Sequence, residues 1–273
     1  MRATVWTCIL ATAAAISPAF AQTKTPDSTQ AQAPPAFHSA PGRRVAREAS
    51  ASSNAVEFYN WGGYAVTGTG FTSAKGSWIV PKVTCSKSPN AVVLVWVGID
   101  GFENDTVEQT GTVSWCNEKT AEYYTWYEFY PAASQTISSV AASPGDKISA
   151  EVSYSGSEFT VEITNETTSE TYTTTQAVSG AKRASAEWIV EAPTAVTGIV
   201  NLADFTKASL GDDYTKIAGT NSATDSTVSG VISAFGSSAY SITQVDWLGY
   251  TESTPSAVSK DGSSFTVTWD EYN

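Results

Sequence analysis

From residue 54 to the C-terminus, apolar side chains recur at every second position in short runs. Glycine, proline, serine and asparagine interrupt those runs at close intervals. Period-two alternation is the signature of strands, whose successive side chains point to opposite faces. No stretch carries the three-and-four spacing of a helix longer than a turn or two, and no internal repeat is visible. A chain patterned this way is committed to an all-β fold, and many short strands in one body of this size predict a single β-sandwich.

The first 53 residues stand outside that pattern. Arg2 precedes a largely apolar or small stretch from Val5 to Ile16, and Ala19-Phe20-Ala21 forms an A-x-A cleavage signal before Gln22. This is the layout of a secretory signal peptide over residues 1–21, too short to span a bilayer, so the protein is expected to be secreted. Residues 22–53 are rich in Pro, Ala, Gln, Ser and Thr and hold the basic cluster Arg43-Arg44-Val45-Ala46-Arg47. Such composition reads as a disordered linker, or as a basic pro-segment removed on maturation. A basic leader on an acidic body can dock electrostatically and act as an intramolecular inhibitor. The remaining body, residues 54–273, is expected to form one domain.

Charge and absence narrow the chemistry. The chain has 15 Lys and Arg and 27 Asp and Glu; residues 1–53 hold five of the first and two of the second, leaving 10 and 25, a net charge of −15. That balance argues against nucleic acid and anionic membranes as partners and suits an acidic medium, where self-repulsion falls. The one histidine, His38, lies in the leader. A mature body without histidine has no Ser-His-Asp triad, no Cys-His pair and no His-ligated metal. Cys8 lies in the signal peptide, so Cys85 and Cys116 remain as an even pair in an oxidising compartment, for which a disulfide is the default.

Three stretches carry candidate chemistry. Ala91 to Gly98 is a continuous apolar run, a strand buried on both faces, leading into Ile99-Asp100-Gly101. In Tyr123 to Pro131, Trp126, Glu128 and Tyr130 share one face while Tyr127 and Phe129 share the other. A carboxylate between aromatic rings fits a binding groove, and equally a mixed core-edge strand. In Ser185 to Glu191, Ala186, Trp188 and Val190 form an apolar face, and Ser185, Glu187, Ile189 and Glu191 the opposite one. That second face is either a solvated strand surface or a carboxylate presented from a rigid sheet. Asn165-Glu166-Thr167 matches the N-glycosylation pattern.

Taken in order, Asn60-Trp61-Gly62-Gly63, Trp96-Val97-Gly98-Ile99-Asp100-Gly101, Gln109-Thr110-Gly111, Trp126 to Pro131 and Ala186 to Glu191 resemble the glutamic peptidases, the eqolisins, over most of the chain from about residue 58. The resemblance implies a two-sheet antiparallel sandwich, jelly-roll or concanavalin-like, with the active site on its concave face. It also implies an acid-acting endopeptidase, insensitive to pepstatin, that takes protein or peptide substrates and needs no cofactor and no metal. It places the catalytic dyad on Gln109 and Glu187, gives Trp126, Glu128, Tyr130 and Trp61 to the substrate-binding groove, and makes Asp100 and Trp96, also counted there, supports of the dyad. Glu191, at the strand end, is expected to be a secondary or structural carboxylate. Monomer is the default oligomeric state.

The proposed roles agree with elementary chemistry. A glutamate near its reference pKa of about 4.3 is still partly ionised in acid, where a histidine would be fully charged and useless as a base. A glutamine amide N–H is a donor at any pH, and one aimed at a tetrahedral oxyanion is typically worth about 3–4 kcal/mol. Two rival readings use the same residues. A jelly-roll glycoside hydrolase would pair Glu128 with Glu187, and a non-catalytic carbohydrate-binding sandwich would need only the aromatic platform.

Overall fold

The computed structural model describes Met1, residues 37–46 and residues 54–270. Residues 2–21 of the expected signal peptide, and much of the leader, lie outside them.

The strands, in chain order, are β1 (Ala55–Phe58), β2 (Trp61–Thr67), β3 (Ser73–Ile79), β4 (Val92–Ile99), β5 (Val107–Asn117), β6 (Thr120–Tyr130), β7 (Gln135–Ile137), β8 (Lys147–Ser155), β9 (Glu158–Asn165) and β10 (Glu170–Gln176). They continue with β11 (Ser185–Glu191), β12 (Thr194–Ala195), β13 (Gly198–Ile199), β14 (Lys207–Leu210), β15 (Ser222–Thr224), β16 (Ser229–Val231), β17 (Ala239–Val245), β18 (Thr251–Pro255) and β19 (Phe265–Trp269). Helical structure is limited to one turn at Asp212–Thr215 and a 3₁₀ segment at Ile232–Ser238. Among the described residues no helix is long and apolar enough to cross a membrane.

Hydrogen bonds join seventeen of these strands into one continuous, mostly antiparallel sheet, rather than the two separate sheets expected. One arm runs β7-β6-β5-β4-β11-β2-β17, and the other runs β10-β9-β8-β3-β14-β19-β18. The pairings β17–β18 and β18–β19 connect them, so the sheet folds back on itself instead of breaking at its edge. A period-two pattern specifies which residues face inward but not whether edge strands pair with each other, and here they do.

The main core fills the space between the arms. Val95, Val97, Trp188 and Val190 of the first arm belong to the same buried cluster as Trp78, Ile148, Val161 and Phe265 of the second. A second buried cluster covers the opposite face of the first arm with Trp61, Leu94, Trp96, Trp115, Trp126 and Ile189. Strands β4 and β11 are therefore buried on both faces, as the unbroken run Val92–Ile99 demands. Gly111 permits this layering: a Cβ there would stand 2.2 Å from the Val95 carbonyl oxygen and 2.6 Å from Trp96 Cβ.

Cys85 and Cys116 form the expected disulfide, with Cα atoms 5.2 Å apart, tying the end of β5 to the loop before β4. Asn165 is fully buried, and its amide donates to the Ala141 carbonyl and the Asp146 carboxylate, each at 2.8 Å. The glycosylation pattern there is closed to modification in the folded chain. Residues 198–205 are mostly irregular, held by a short β12–β13 hairpin and one bridge from Val92 to Leu202.

Candidate active site

Register puts the candidate residues in one cross-strand row. Glu187 pairs with Gly98, Gly98 with Gln109, and Gln109 with Glu128, so these side chains leave the same face of β11, β4, β5 and β6. Glu191 and Trp96 lie on that face as well, further along β11 and β4. Both faces of β11 are buried, so its polar face is not a solvated surface.

What covers it is the leader. Residues 37–46 cross this face held chiefly by main-chain hydrogen bonds. His38 exchanges two 2.9 Å bonds with Thr194, Gly42 N–H donates to the Gly101 carbonyl at 2.9 Å, Tyr59 N–H to the Arg43 carbonyl at 2.9 Å, and Val45 N–H to the Glu57 carbonyl at 2.8 Å. The Asn60 carboxamide accepts from Arg43 N–H at 2.8 Å and donates to the carbonyls of Ala40 and Pro41. Of the basic cluster, Arg44 forms an exposed pair with Glu103 at 3.4 Å, which contributes little. Composition places these residues in an unstructured leader because their fixation depends on backbone groups, to which composition is blind.

Ser39 sits at the centre. Gln109 Nε2 donates to the Ser39 carbonyl oxygen at 3.1 Å and to Glu128 Oε2 at 3.2 Å. Glu128 Oε2 also accepts from Ser39 N–H at 3.1 Å, and its Oε1 lies 3.4 Å from His38 Nδ1. The Ser39 hydroxyl lies between Gln109 Oε1, at 2.9 Å, and Glu191 Oε2. Trp96 Nε1 donates to the same Glu191 oxygen at 2.7 Å, while Glu191 Oε1 has no hydrogen-bond partner.

Burial raises the Glu191 pKa to about 8; the Ser39 hydroxyl, the Trp96 indole and smaller contributions from the Ala40 and Trp61 N–H groups hold it lower than burial alone would. Burial, reinforced by the charge of Glu191, likewise pushes Glu128 up to about 9. Both carboxyls are thus protonated at acid and neutral pH while the leader is in place. A serine hydroxyl has a single proton. It can donate that proton to Gln109 Oε1 or to Glu191 Oε2, but not to both at once.

Glu187 shares the row but not the group. It is fully buried, neither carboxyl oxygen meets a donor in hydrogen-bond geometry, and burial raises its pKa, a rise that the neighbouring Ser185 hydroxyl opposes and the charges of Asp100 and Glu108 reinforce. The structure therefore assembles Gln109, Glu128 and Glu191 around Ser39 and leaves Glu187 beside Asp100. Parity made the two glutamates of β11 equivalent. Only the register against Trp96, which brings an indole N–H to Glu191, tells them apart.

The remaining candidates divide in the same way. Trp61 packs edge-on against Trp96 with ring centres 5.0 Å apart and forms the floor under Gly42. Trp126 is buried in the same cluster, and Tyr130 packs at its margin. Asp100 does not face the leader. It accepts from the backbone N–H groups of Lys182, Arg183 and Ala184 at 2.7–2.8 Å and from the Asn104 amide at 2.8 Å, pinning the loop that feeds β11 to the end of β4. Ser39 and His38 belong to the leader, and nothing in a Pro/Ala/Ser-rich stretch marks them for the site. Among the described residues no group of three or more His, Cys, Asp or Glu is arranged to hold a metal ion.

This arrangement has relatives. Aspergillopepsin-2 of Aspergillus niger is 33% identical over 170 residues, 54% of this chain and 60% of that protein. Scytalidopepsin B of Scytalidium lignicola is 34% identical over 155 residues, 53% of this chain and 55% of that protein. The chain thus matches less than two thirds of the length of these curated relatives. Its fold resembles the crystal structure of scytalido-glutamic peptidase bound to a transition state analog inhibitor, with a TM-score of 0.64 at 22% identity over 78% of this chain and 98% of that one. It also resembles aspergilloglutamic peptidase from Aspergillus niger, with a TM-score of 0.54 at 26% identity over 66% of this chain and 99% of that one. The sequence model of the Peptidase A4 family matches residues 59–267, and the chain belongs to that family.

Proposed function

We propose that the chain is a secreted, acid-acting endopeptidase of the glutamic type. Its body is residues 54–273, its dyad is Gln109 with Glu191, and residues 22–53 act as an inhibitory pro-segment. One observation carries the reading: a stretch of peptide lies in the groove with a main-chain carbonyl oxygen on Gln109 Nε2 and the Glu191 carboxyl beside the same residue. This is the placement peptide hydrolysis requires.

In the catalytic cycle a water held between Gln109 Oε1 and the ionised Glu191 attacks the substrate carbonyl carbon and gives its proton to Glu191. Gln109 Nε2 stabilises the oxygen that becomes negative, and Glu191 returns the proton to the leaving nitrogen as the C–N bond breaks. Trp96 orients Glu191 and favours its charged form, and Glu128 fixes the Gln109 amide. The leader suppresses this chemistry in two ways. It fills the groove, and by excluding water it keeps Glu191 protonated and so unable to act as a base. Its removal rehydrates the carboxyl and returns its pKa toward the acid range.

Glu191 replaces Glu187 in the dyad because Glu187 makes no hydrogen bond to Gln109 or to the bound peptide. The glycosidase reading, which pairs Glu128 with Glu187, loses support for the same reason: the carboxyl whose charge acts on Glu128 is Glu191. The test is hydrolysis of a denatured protein at acid pH, in the presence of pepstatin-type and chelating inhibitors, by acid-matured enzyme. Glu191→Gln is expected to lower the rate by at least about 100-fold, and Gln109→Ala by a similar factor. Glu187→Gln should stay within about tenfold of wild type. The opposite order for the two glutamates would return the dyad to Glu187.

A further inference from the structure

The leader lies across the site in the register of a substrate, yet one atom in it stands where a reactant belongs. The Ser39 carbonyl oxygen is on Gln109 Nε2 at 3.1 Å, and the next N–H, that of Ala40, lies close enough to Glu191 to favour its charged form. The bond aligned between oxyanion donor and proton donor is therefore Ser39–Ala40. A nucleophile in attack position stands about 3–3.5 Å from its target carbon. The Ser39 Oγ is held by its own covalent frame at a comparable distance from its own carbonyl carbon, and it makes the contacts with Gln109 Oε1 and Glu191 Oε2 that an attacking water would make.

We propose that Ser39 is a latch: its hydroxyl takes the place of the nucleophilic water, so that the Ser39–Ala40 bond is presented to the dyad in cleavage register but is not cut. This rests on the dyad assigned above. The hydroxyl cannot substitute chemically for the water it displaces, because attack on its own carbonyl would close a four-membered ring through Cβ and Cα. Nor can it leave the site while the segment stays, since His38 on one side and Gly42 on the other are tied by backbone bonds to Thr194 and Gly101. The leader is thereby a substrate disabled by one oxygen atom.

Removing that oxygen should convert the inhibitor into a substrate. In Ser39→Ala a water occupies the vacated place and hydrates Glu191, which releases its proton to solvent and so becomes a base; that water adds to the residue 39 carbonyl carbon and passes its proton through Glu191 to the Ala40 nitrogen. One water is consumed, and the products are a new carboxylate at residue 39 and a new amino terminus at Ala40.

The experiment follows the intact mass of the full chain at acid pH. Ser39→Ala should be cleaved between residues 39 and 40, at least tenfold faster than wild type. Ser39→Thr, which keeps a hydroxyl, should remain whole, and so should Ser39→Ala combined with Glu191→Gln. If Ser39→Ala folds as wild type by circular dichroism yet remains whole at 39–40, under conditions in which acid-matured wild type digests an added denatured protein, the latch is overturned and the peptidase reading stands. Cleavage of Ser39→Thr at the Ser39→Ala rate overturns it as well. If acid-matured wild type digests no added protein, or if the double variant is cut equally, the peptidase reading itself fails and the latch falls with it. Ser39→Gly supplies the same comparison should the alanine variant misfold.

Discussion

Glu108 offers a direct measure of what buried carboxyls cost this fold. It is fully buried on β5, with neither carboxyl oxygen hydrogen-bonded, and burial, followed by the nearby Asp100 charge, raises its pKa from 4.5 to about 9. Between those two values the folded state binds a proton that the unfolded state has released, so stability declines as pH rises. The group imposes no penalty below pH 4.5, and the penalty grows by about 1.4 kcal/mol per pH unit until about pH 9. At pH 7 that amounts to about 3 kcal/mol, a large share of an ordinary domain's stability. Glu108→Gln keeps the shape and removes the titration. The variant should match wild type at pH 4 and be more stable at pH 7 by about 3 kcal/mol, a gain of roughly 6–12 °C in Tm for a body of this size. Thermal unfolding of both proteins at half-unit steps from pH 4 to 8 provides the comparison. Parallel Tm profiles, or a wild type more stable at pH 7 than at pH 4, would refute the argument.

Two further outcomes follow from the geometry. Cys85→Ser with Cys116→Ser opens a loop with a sequence separation of 31, and guanidinium titration should find a loss of roughly 3–4 kcal/mol in the chain-entropy account. Gly111→Ala drives a Cβ into the Val95 carbonyl and Trp96; it should cost at least about 1–3 kcal/mol and reduce activity by moving the indole that orients Glu191.

The fold class was legible because strand periodicity is a local property: the double burial of Val92–Ile99 and the parity of Trp126, Glu128 and Tyr130 follow from the order of residues alone. Sheet count was not, because the consecutive strands β17, β18 and β19 close the sheet only by anchoring to opposite arms, β17 on β2 and β19 on β14, and those pairings join segments far apart in sequence. The site was half legible. Gln109 and Glu128 are register partners in one hairpin, so local reading finds both. Choosing between Glu187 and Glu191 required knowing which of them meets Trp96, and that is set by how β11 crosses β4. Ser39 was out of reach, since a backbone-held segment leaves no hydrophobic pattern.

The aromatic floor beneath the leader has an optical consequence. Trp61, Trp96, Trp115 and Trp126 are at most 5% exposed and belong to the cluster on the leader's side of β4, where Phe37 meets Trp115 edge-on at 6.4 Å and Gly42 lies over Trp61. Indole emission shifts to longer wavelength when the ring meets water. Departure of residues 37–46 would therefore write its own spectrum, with the protein's intrinsic fluorescence reporting in real time, and without a label, when the groove opens.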